Sequence, residues 1–308
     1  MKFINDLKSL KHSGEACVAT IGNFDGLHLG HQTIISNLKK KANDLQLPLT
    51  VISFEPLPIE YFVADAPARI YPLRDKIRIL SKMGVDNFLC LKFNQDLANT
   101  PPIEFIENIL LDKLNVKYLA VGDDFRFGYQ RGGDFTLLQE IGAKHGMNVT
   151  DTKTQLLQGL RISSTRIRKA LAEGELSIVN TLLGQAYQLS GRIRHGNKKG
   201  RTIGFPTINM KVPKNIAPRL GVYAVKIHGL DGEKTHLGVS NLGIRPTVGG
   251  TEKRLETHVF DFDALVYGQH IRIELIEFIR DEKHFETFEV LKQQIIKDAE
   301  TAKRILQN

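Results

Sequence analysis

Two histidines three residues apart, His28 and His31, lie in a glycine-rich stretch near the start of the chain. The stretch follows the short apolar run Cys17–Ile21 and precedes a helical pattern, which is where an α/β sheet binds ligands. At this spacing both imidazoles can donate hydrogen bonds to one phosphate from the first helical turn. A metal site would need further ligands, and none stands out nearby. The alternative is a tight turn with ordinary polar histidines, since an isolated His-x-x-His often occurs by chance.

Two more polar segments in the same half lie next to predicted elements. Residues 161–168, Arg-Ile-Ser-Ser-Thr-Arg-Ile-Arg, bring hydroxyls and three arginines to the start of a predicted helix, which suits a polyphosphate tail. The alternative is a helix cap with a solvated basic face. Asp124 and Arg126 follow the predicted strand Tyr118–Val121, so they either emerge at the ligand-binding edge of the sheet or form a charged surface turn.

The second half carries a cationic glycine-rich segment and a pair of oxygen-bearing side chains. Residues 191–202 contain five lysines and arginines, with a spacing that differs from a Walker A loop, and they suit either a phosphate-covering loop or RNA. Thr207 and Asn209 lie two residues apart on an extended segment, so both can reach one hard cation, although Pro-Thr-x-Asn also suits a turn. Glu256 lies in a predicted strand, where a surface carboxylate is the alternative.

The elements that must position these residues differ between the two halves. In the first half, short apolar runs alternate with helical patterns, which is typical of βαβ units around a parallel sheet. After about Gly184 the runs are closely spaced around glycines, which favours a compact antiparallel barrel or sandwich. The pattern of Phe285–Leu306 predicts a closing helix on that barrel. The predicted strands are Cys17–Ile21, Leu49–Phe54, Phe88–Phe93, Tyr118–Val121, Gln188–Ile193, Gly221–His228, His236–Asn241, Leu255–Phe262 and Ile271–Phe278.

The composition excludes several classes of protein. The chain has 308 residues, of which 25% are charged and 42% hydrophobic, so we expect two ordered domains rather than disorder. No apolar run approaches the roughly 18 residues of a membrane span, and charge interrupts the N-terminus too early for a signal peptide. Two cysteines cannot build a disulfide scaffold, so we expect a soluble cytoplasmic protein. The net charge of +8 suits nucleic acid, anionic lipid or a phosphorylated ligand.

The motifs together resemble those of a known family. The stretch Gly22–His31 is similar to the opening motif of bacterial bifunctional riboflavin kinase/FAD synthetases, which contains the His-x-Gly-His signature of nucleotidyltransferases. Residues 161–168 resemble the Ile-Ser-Ser-Thr-x-x-Arg motif of the same superfamily, and residues 121–128 resemble a third segment. Residues 204–209 resemble the Pro-Thr-Ala-Asn motif of riboflavin kinases, with isoleucine in place of the alanine, and residues 255–258 resemble their Leu-Glu-x-His motif.

The resemblance implies an N-terminal Rossmann-like, doubly wound FMN adenylyltransferase domain, residues 1–183. It also implies a C-terminal riboflavin kinase domain, residues 184–308, that is an antiparallel β-barrel with a closing helix. The implied reactions are phosphorylation of riboflavin to FMN and adenylylation of FMN to FAD with release of pyrophosphate. Both would use ATP with Mg²⁺, and neither would need nucleic acid, a membrane or an obligate protein partner.

The resemblance also implies roles for single residues. The catalytic residues would be His28 and His31, which stabilise developing charge in adenylyl transfer, and Glu256, the general base of the kinase. The residues implied to bind ATP for adenylylation are Gly22, Phe24, Asp25, Gly30, Ser164, Thr165 and Arg168, and those implied to contact flavin or nucleotide there are Asp124 and Arg126. The residues implied to bind ATP in the kinase are Gly196, Lys199, Gly200, Thr207 and Asn209. Thr207 and Asn209 would also bind Mg²⁺, and Arg280 would bind the flavin.

Two other functions stay open on the sequence. A different His-x-Gly-His nucleotidyltransferase with an accessory barrel, for example one acting on phosphopantetheine, explains the histidine pair but not Thr207, Asn209 and Glu256. A basic RNA-binding barrel needs aromatic residues among its cations, and residues 191–202 contain none. The charge excess belongs mainly to residues 183–308, which contain 20 basic and 14 acidic residues, against 22 and 20 in residues 1–182.

Overall fold

The computed structural model describes residues 1–7, 15–122, 124–152, 156–157, 159–195, 205–247 and 250–307. The chain divides into two compact units. The first unit consists of Met1–Pro67 and Lys76–Ser163, and the second of Ala68–Asp75 and Ser164–Asn308.

The first unit contains a six-stranded parallel sheet. Its strands are β1 (Lys2–Ile4), β2 (Cys17–Ile21), β3 (Leu49–Glu55), β4 (Asn87–Lys92), β5 (Val116–Gly122) and β6 (Asn148–Thr152). They pair in the order β1-β4-β3-β2-β5-β6. From β4 to β6 this is the doubly wound order, so the predicted Rossmann-like fold is confirmed. The order reverses at β2, which lies between β3 and β5, and such a switch point is where this type of sheet binds its ligand.

Burial explains which strands the sequence predicted. Every residue of β2 and six of the seven residues of β3 are buried, because both faces of a central parallel strand are covered. Such strands are mostly apolar runs, so they were predicted. The edge strands β1 and β6 were missed, because Ile4 and Val149 are their only buried residues.

Helices cover the sheet. The predicted pattern after the histidine stretch is helix α1 (Leu29–Leu45), which buries Ile35, Leu38 and Ala42. The α-helices described between α1 and β6 are α2 (Pro58–Phe62), α3 (Leu73–Lys82), α4 (Gln95–Asn99), α5 (Pro102–Glu104), which continues as a π-helical segment Phe105–Lys113, and α6 (Phe135–Lys144). A two-stranded ribbon of β7 (Leu156–Leu157) and β8 (Leu160–Arg161) follows β6.

The second unit contains a closed antiparallel barrel, as predicted. Its strands are β9 (Gln188–Arg194), β10 (Thr207–Val212), β11 (Gly221–Asp231), β12 (Lys234–Thr247), β13 (Gly250–Val259) and β14 (His270–Arg280). They close in the order β10-β13-β12-β11-β14-β9. Helices α7 (Ser164–Glu173) and α8 (Leu176–Leu183) precede the barrel in this unit. The predicted closing helix is α9 (Phe288–Gln307), and its Ala299 and Ala302 pack against Val222, Ala224 and Val239.

The segment Ala68–Asp75 belongs to the second unit although it lies early in the chain. The hydroxyl of Tyr187 donates to the Ile70 carbonyl at 2.6 Å, and its ring stacks on Tyr71 with centroids 5.1 Å apart. Asp75 is fully buried and accepts a hydrogen bond from the backbone N–H of Ser190 at 3.2 Å. The predicted functional boundary at residue 183 is a different division of the chain, and it stays a prediction.

Candidate active sites

The loop between β2 and α1 starts at the carboxyl end of the strand at the switch point. Phe24 has a φ of +46° and Gly26 a φ of +89°, so the chain turns sharply before the helix. The ring of Phe24 is 3% exposed, and its centroid lies 5.1 Å from that of His31. Asp25 and Gly30, both predicted to bind phosphate, are buried in the same loop and helix start.

The two histidines lie against each other at the start of α1. Their rings stack with centroids 3.7 Å apart and an interplanar angle of 17°. His28 is the N-cap residue, and its Nδ1 accepts the backbone N–H of His31 at 3.4 Å. A neutral His28 therefore carries its proton on Nε2. The Nδ1 of His31 is buried and has no hydrogen-bond partner among the described residues, which is uncommon for a buried polar atom.

The electrostatics keep both rings neutral at pH 7. Burial lowers the pKa of His28 from 6.5 to about 4, and the charge of Arg161 contributes to the shift. The pKa of His31 lies well below 6.5, mainly because the ring is buried, and also because the charge of Lys76, and of His28 when it is protonated, opposes protonation of His31. Each neutral ring donates one N–H hydrogen bond, which is the interaction that a phosphate oxygen accepts.

Sequence reasoning missed two polar residues beneath this loop. Lys76 is 3% exposed, and its Nζ donates to the carbonyl of Asn23 at 2.7 Å. Ser53, which is fully buried, donates to the same carbonyl at 3.2 Å and lies 3.4 Å from the Lys76 ammonium. A lysine within an amphipathic helical pattern is usually assigned to the solvated face. Lys76 lies under the loop between β2 and α1 only because of the order of the strands in the sheet.

The segment after β5 is more exposed. Asp124 forms an ion pair with Arg161 at 3.2 Å, and the two side chains are 73% and 59% exposed. Arg126 donates to the carbonyl of Phe125 at 3.2 Å. Because β5 is the neighbour of β2, these residues leave the sheet at the switch point, where sequence analysis predicted a flavin or nucleotide contact.

Ser164, Thr165 and Arg168 lie in the first turns of α7, within the second unit. Thr165 is exposed, whereas Ser164 and Arg168 are half-buried. The Nε of Arg168 donates to the carbonyl of Ala68 at 2.8 Å. The first turn of a helix has backbone N–H groups without intrahelical partners, which is the feature predicted to bind phosphate here.

The barrel brings Thr207, Asn209 and Glu256 together. Asn209 on β10 lies opposite Glu256 on β13, and Thr207 lies opposite His258. Directly paired residues in an antiparallel sheet have Cβ atoms about 5 Å apart. The chain neighbours of Glu256 are fully buried on the inner face, so these three side chains share the outer face of the barrel.

A charged network surrounds Glu256. Arg245 on β12 donates to it with Nε–Oε1 at 3.2 Å and Nη2–Oε2 at 3.3 Å. Arg245 Nη1 also lies 3.7 Å from Glu282 Oε1, and Asn241, the β12 partner of Glu256, donates to Glu282 at 3.1 Å. Burial opposes the charge of Arg245, but Glu256 and Glu282 outweigh it and raise its pKa. Sequence analysis did not assign Arg245 to Glu256, because the pairing depends on strand register.

Four other predicted positions have different outcomes. Gly196, Lys199 and Gly200 lie outside the described residues. Arg280 is held by Asp298 through contacts of 2.5 to 3.1 Å, and it also donates to the carbonyl of Asp281. Its guanidinium therefore links β14 to α9, and the predicted flavin contact stays a prediction.

The described residues lack two kinds of feature. No group of three His, Cys, Asp or Glu side chains there forms a protein-only metal site. In the same residues no helix combines the length and the apolar character that crossing a membrane requires.

Known proteins match nearly the whole chain. A family model for FAD synthetase matches residues 10–166, and one for riboflavin kinase matches residues 183–306. A crystal structure described as a macrolide-efflux protein from Streptococcus pneumoniae matches with a TM-score of 0.79 and 28% identity over 98% of each chain. Its fold therefore agrees with this one along the chain, whereas its description differs from both family models.

Curated relatives contain both halves of this chain in the same protein. The bifunctional riboflavin kinase/FMN adenylyltransferase of Escherichia coli (strain K12) is 46% identical over 305 residues, covering 98% of this chain and 97% of the relative. The Haemophilus influenzae protein of the same name is 46% identical and covers 98% of each chain. The predicted pairing of two activities in one chain is confirmed. The chain belongs to the family of bifunctional riboflavin kinase/FMN adenylyltransferases.

Proposed function

We propose that the two candidate sites divide the two reactions of the family between them. The loop before α1 takes part in adenylylation of FMN to FAD, and the outer face of the barrel phosphorylates riboflavin to FMN. The pairing of Asn209 with Glu256 is the observation that carries the kinase assignment, because it joins a cation-binding amide to a candidate base.

In adenylyl transfer, a phosphate oxygen of FMN attacks the α-phosphorus of ATP, and the bond to the β-phosphate oxygen breaks to release pyrophosphate. The step needs positioning and charge stabilisation rather than a covalent nucleophile. His28 has its Nδ1 occupied, so its Nε2–H donates to a phosphate oxygen. His31 completes the pair, and its stacking on His28 restricts both rings.

The remaining adenylylation residues follow the family motifs. Gly22, Phe24, Asp25 and Gly30 shape the loop around the nucleotide, and Ser164, Thr165 and Arg168 hold the pyrophosphate that leaves. Asp124 and Arg126 contact flavin or nucleotide. Their position after β5 supports this role, because β5 is next to β2 in the sheet.

In the kinase reaction, Glu256 accepts the proton of the ribityl 5′-hydroxyl as the oxygen attacks the γ-phosphorus of ATP, and the bond from this phosphorus to the β-phosphate oxygen breaks to release ADP. A carboxylate has about four lone-pair sites, so an oxygen engaged by Arg245 can still accept this proton. The two hydrogen bonds from Arg245 fix the plane of the carboxylate before substrate binds. The predicted loop residues Gly196, Lys199 and Gly200 cover the phosphates in this proposal.

The residues at the barrel site fit Mg²⁺ carried by ATP. Thr207 offers a hydroxyl oxygen, and the amide nitrogen of Asn209 donates to the Thr207 carbonyl at 3.5 Å, which leaves the amide oxygen for a cation. Mg²⁺ prefers oxygen ligands and commonly shares substrate phosphates. When bound, it would neutralise phosphate charge, and Thr207 and Asn209 would hold it.

The test is the full-length chain with riboflavin and MgATP, followed by chromatography of the flavins. We expect FMN and FAD from the wild type. The His28→Ala/His31→Ala variant should make FMN without FAD. The Glu256→Gln variant should make FAD from added FMN but no FMN from riboflavin. Loss of both activities in either folded variant would contradict the division into two sites.

We also propose that the chain acts in the cytoplasm without nucleic acid. The basic excess of the second half pairs with the phosphates of ATP and FMN. Retention of the protein on RNA at physiological salt, with loss of kinase activity on adding RNA, would argue against this assignment.

A further inference from the structure

The buried lysine under the histidine loop has no role in the reaction described above. Lys76 is 3% exposed and lies on α3 next to Ile79 and Leu80, which are 4% and 0% exposed. Burying an ammonium group costs several kcal/mol unless hydrogen bonds and charge compensate. A methionine of similar length would fill the space without that cost. A buried charge at this position therefore points to a function.

Two buried donors, Lys76 and Ser53, meet at one backbone carbonyl. The ammonium of Lys76 donates to the carbonyl of Asn23 at 2.7 Å, and Ser53 donates to the same oxygen at 3.2 Å. The carbonyl thus accepts two hydrogen bonds from buried donors on α3 and β3. These bonds connect the loop to two regular elements of the sheet unit.

The anchored carbonyl directly precedes the unusual turn of the loop. Phe24, the next residue, has a φ of +46°, which is uncommon for a residue with a side chain. Such a conformation persists only where surrounding contacts hold it. The ring of Phe24 then lies 5.1 Å from His31, which stacks on His28 at 3.7 Å. A continuous path of contacts therefore runs from Lys76 to the histidine pair.

We propose that Lys76 is a positioning residue for FMN adenylylation: by anchoring the Asn23 carbonyl it sets the loop that presents His28 and His31 to the phosphates of ATP. The inference rests on the proposed role of these histidines. Lys76 acts through the loop and does not contact the reacting atoms. Its charge also helps to keep His31 neutral, which agrees with a hydrogen-bond donor at that position.

The test uses the full-length chain with FMN and ATP, and measures kcat and KM for FAD formation. Lys76→Met removes the charge and the donor at similar length, and a displaced catalytic group can cost about 10²-fold. We expect kcat to fall by about this factor while the KM for FMN stays unchanged, because the loss acts on the transition state. Lys76→Arg, which restores a charged donor, should recover part of the rate.

The matched control is Lys40→Met, which removes one lysine from the exposed side of α1. It should leave both activities unchanged. Riboflavin phosphorylation by each variant reports on the barrel unit, and circular dichroism reports on the fold. If Lys76→Met folds poorly, Ser53→Ala removes the second donor to the same carbonyl, and a smaller fall in kcat is expected.

The outcomes separate the inference from the function on which it rests. A wild-type rate of FAD formation in folded Lys76→Met would overturn the positioning role. If Lys76→Met does not fold, an unchanged kcat in Ser53→Ala would overturn it instead. A rise in KM with constant kcat would also overturn it. The proposed function fails independently if the His28→Ala/His31→Ala variant still forms FAD at the wild-type rate.

Discussion

Arg245 and Glu256 form a two-point ion pair across neighbouring barrel strands, with nitrogen to oxygen distances of 3.2 and 3.3 Å. The same guanidinium approaches Glu282 at 3.7 Å. Both carboxylates raise the pKa of Arg245 against the effect of burial, so it stays charged. The candidate base of the kinase is therefore fixed in orientation before any substrate arrives.

Replacing Arg245 should reduce riboflavin phosphorylation. We expect Arg245→Met to lower kcat by about 10²-fold, because the carboxylate loses its fixed orientation. Arg245→Lys should recover little, since an ammonium cannot form the two-point contact. FAD formation from added FMN should not change. Lys234→Met removes the same charge from an exposed position on the same strand and is the control; an equal loss there would contradict the orientation argument.

Removing Mg²⁺ should stop both reactions, and the barrel variants should change only one. With EDTA, neither FMN nor FAD should form. Thr207→Ala and Asn209→Ala should shift the Mg²⁺ concentration needed for half-maximal kinase rate upward by about tenfold, the equivalent of 1.4 kcal/mol. The Mg²⁺ dependence of FAD formation should stay as in the wild type. Equal shifts in both activities would contradict the assignment of this pair to the kinase.

Arg280 offers a separation of structural and flavin-binding roles. Its side chain is 16% exposed and that of Asp298 is 6% exposed, so Arg280→Met leaves a buried carboxylate without its cation. We expect a loss of about 3 to 5 kcal/mol in the free energy of unfolding. Arg280→Met/Asp298→Asn should regain much of it. In the double variant, the proposed flavin contact predicts a raised KM for riboflavin. An unchanged KM would mean that Arg280 only links β14 and α9.

His28 should make the stability of the chain sensitive to acid. The unfolded chain binds a proton at this residue below its ordinary pKa of 6.5, whereas the folded chain does so only below about 4. Between these values the unfolded state holds more protons, so stability falls as the pH falls through this window. At 1.36 kcal/mol per pKa unit, the free energy of unfolding falls by about 3 kcal/mol across this window. The loss is complete below pH 4.

The variant His28→Asn should show a smaller slope, because His31, whose pKa also lies well below 6.5, still contributes. The asparagine oxygen replaces the His28 Nδ1 as the N-cap acceptor. Thermal unfolding between pH 4 and 7 measures the difference from wild type. The exposed His145→Asn is the control and should retain the wild-type slope. Parallel pH dependence of His28→Asn and wild type would show that another group is responsible.

The hydroxyl of Tyr187 should contribute to the stability of the barrel unit. Tyr187→Phe keeps the stack on Tyr71 but leaves the buried Ile70 carbonyl without this donor. The loss of one such hydrogen bond costs about 1 kcal/mol. Urea unfolding of the full-length chain should show this loss, whereas Tyr129→Phe, at a 48% exposed residue, should show none. An unchanged urea midpoint for Tyr187→Phe would contradict the role of this contact.

The sequence predicted strands best where every residue of the strand is buried. The bounds of β2 agree with the predicted Cys17–Ile21, because a strand covered on both faces is a nearly continuous apolar run, here broken only by Thr20. The edge strand β6 was missed, since its residues Asn148–Thr152 bury only Val149. In the barrel, alternation around glycines predicted strands but could not choose between a closed barrel and a sandwich, because closure depends on the pairing of β9 with β10.

By itself the sequence determined the two-part fold, the family and the chemical identity of the candidate residues, since side-chain types and short spacings are local properties of the chain. The tertiary structure decided which distant residues meet them. Lys76 meets Asn23, Arg245 meets Glu256, and Ala68–Asp75 joins the barrel unit, all through strand order, register and packing. Such contacts join residues far apart in sequence, and no local pattern encodes them, because their energy exists only after the sheet and the barrel have formed.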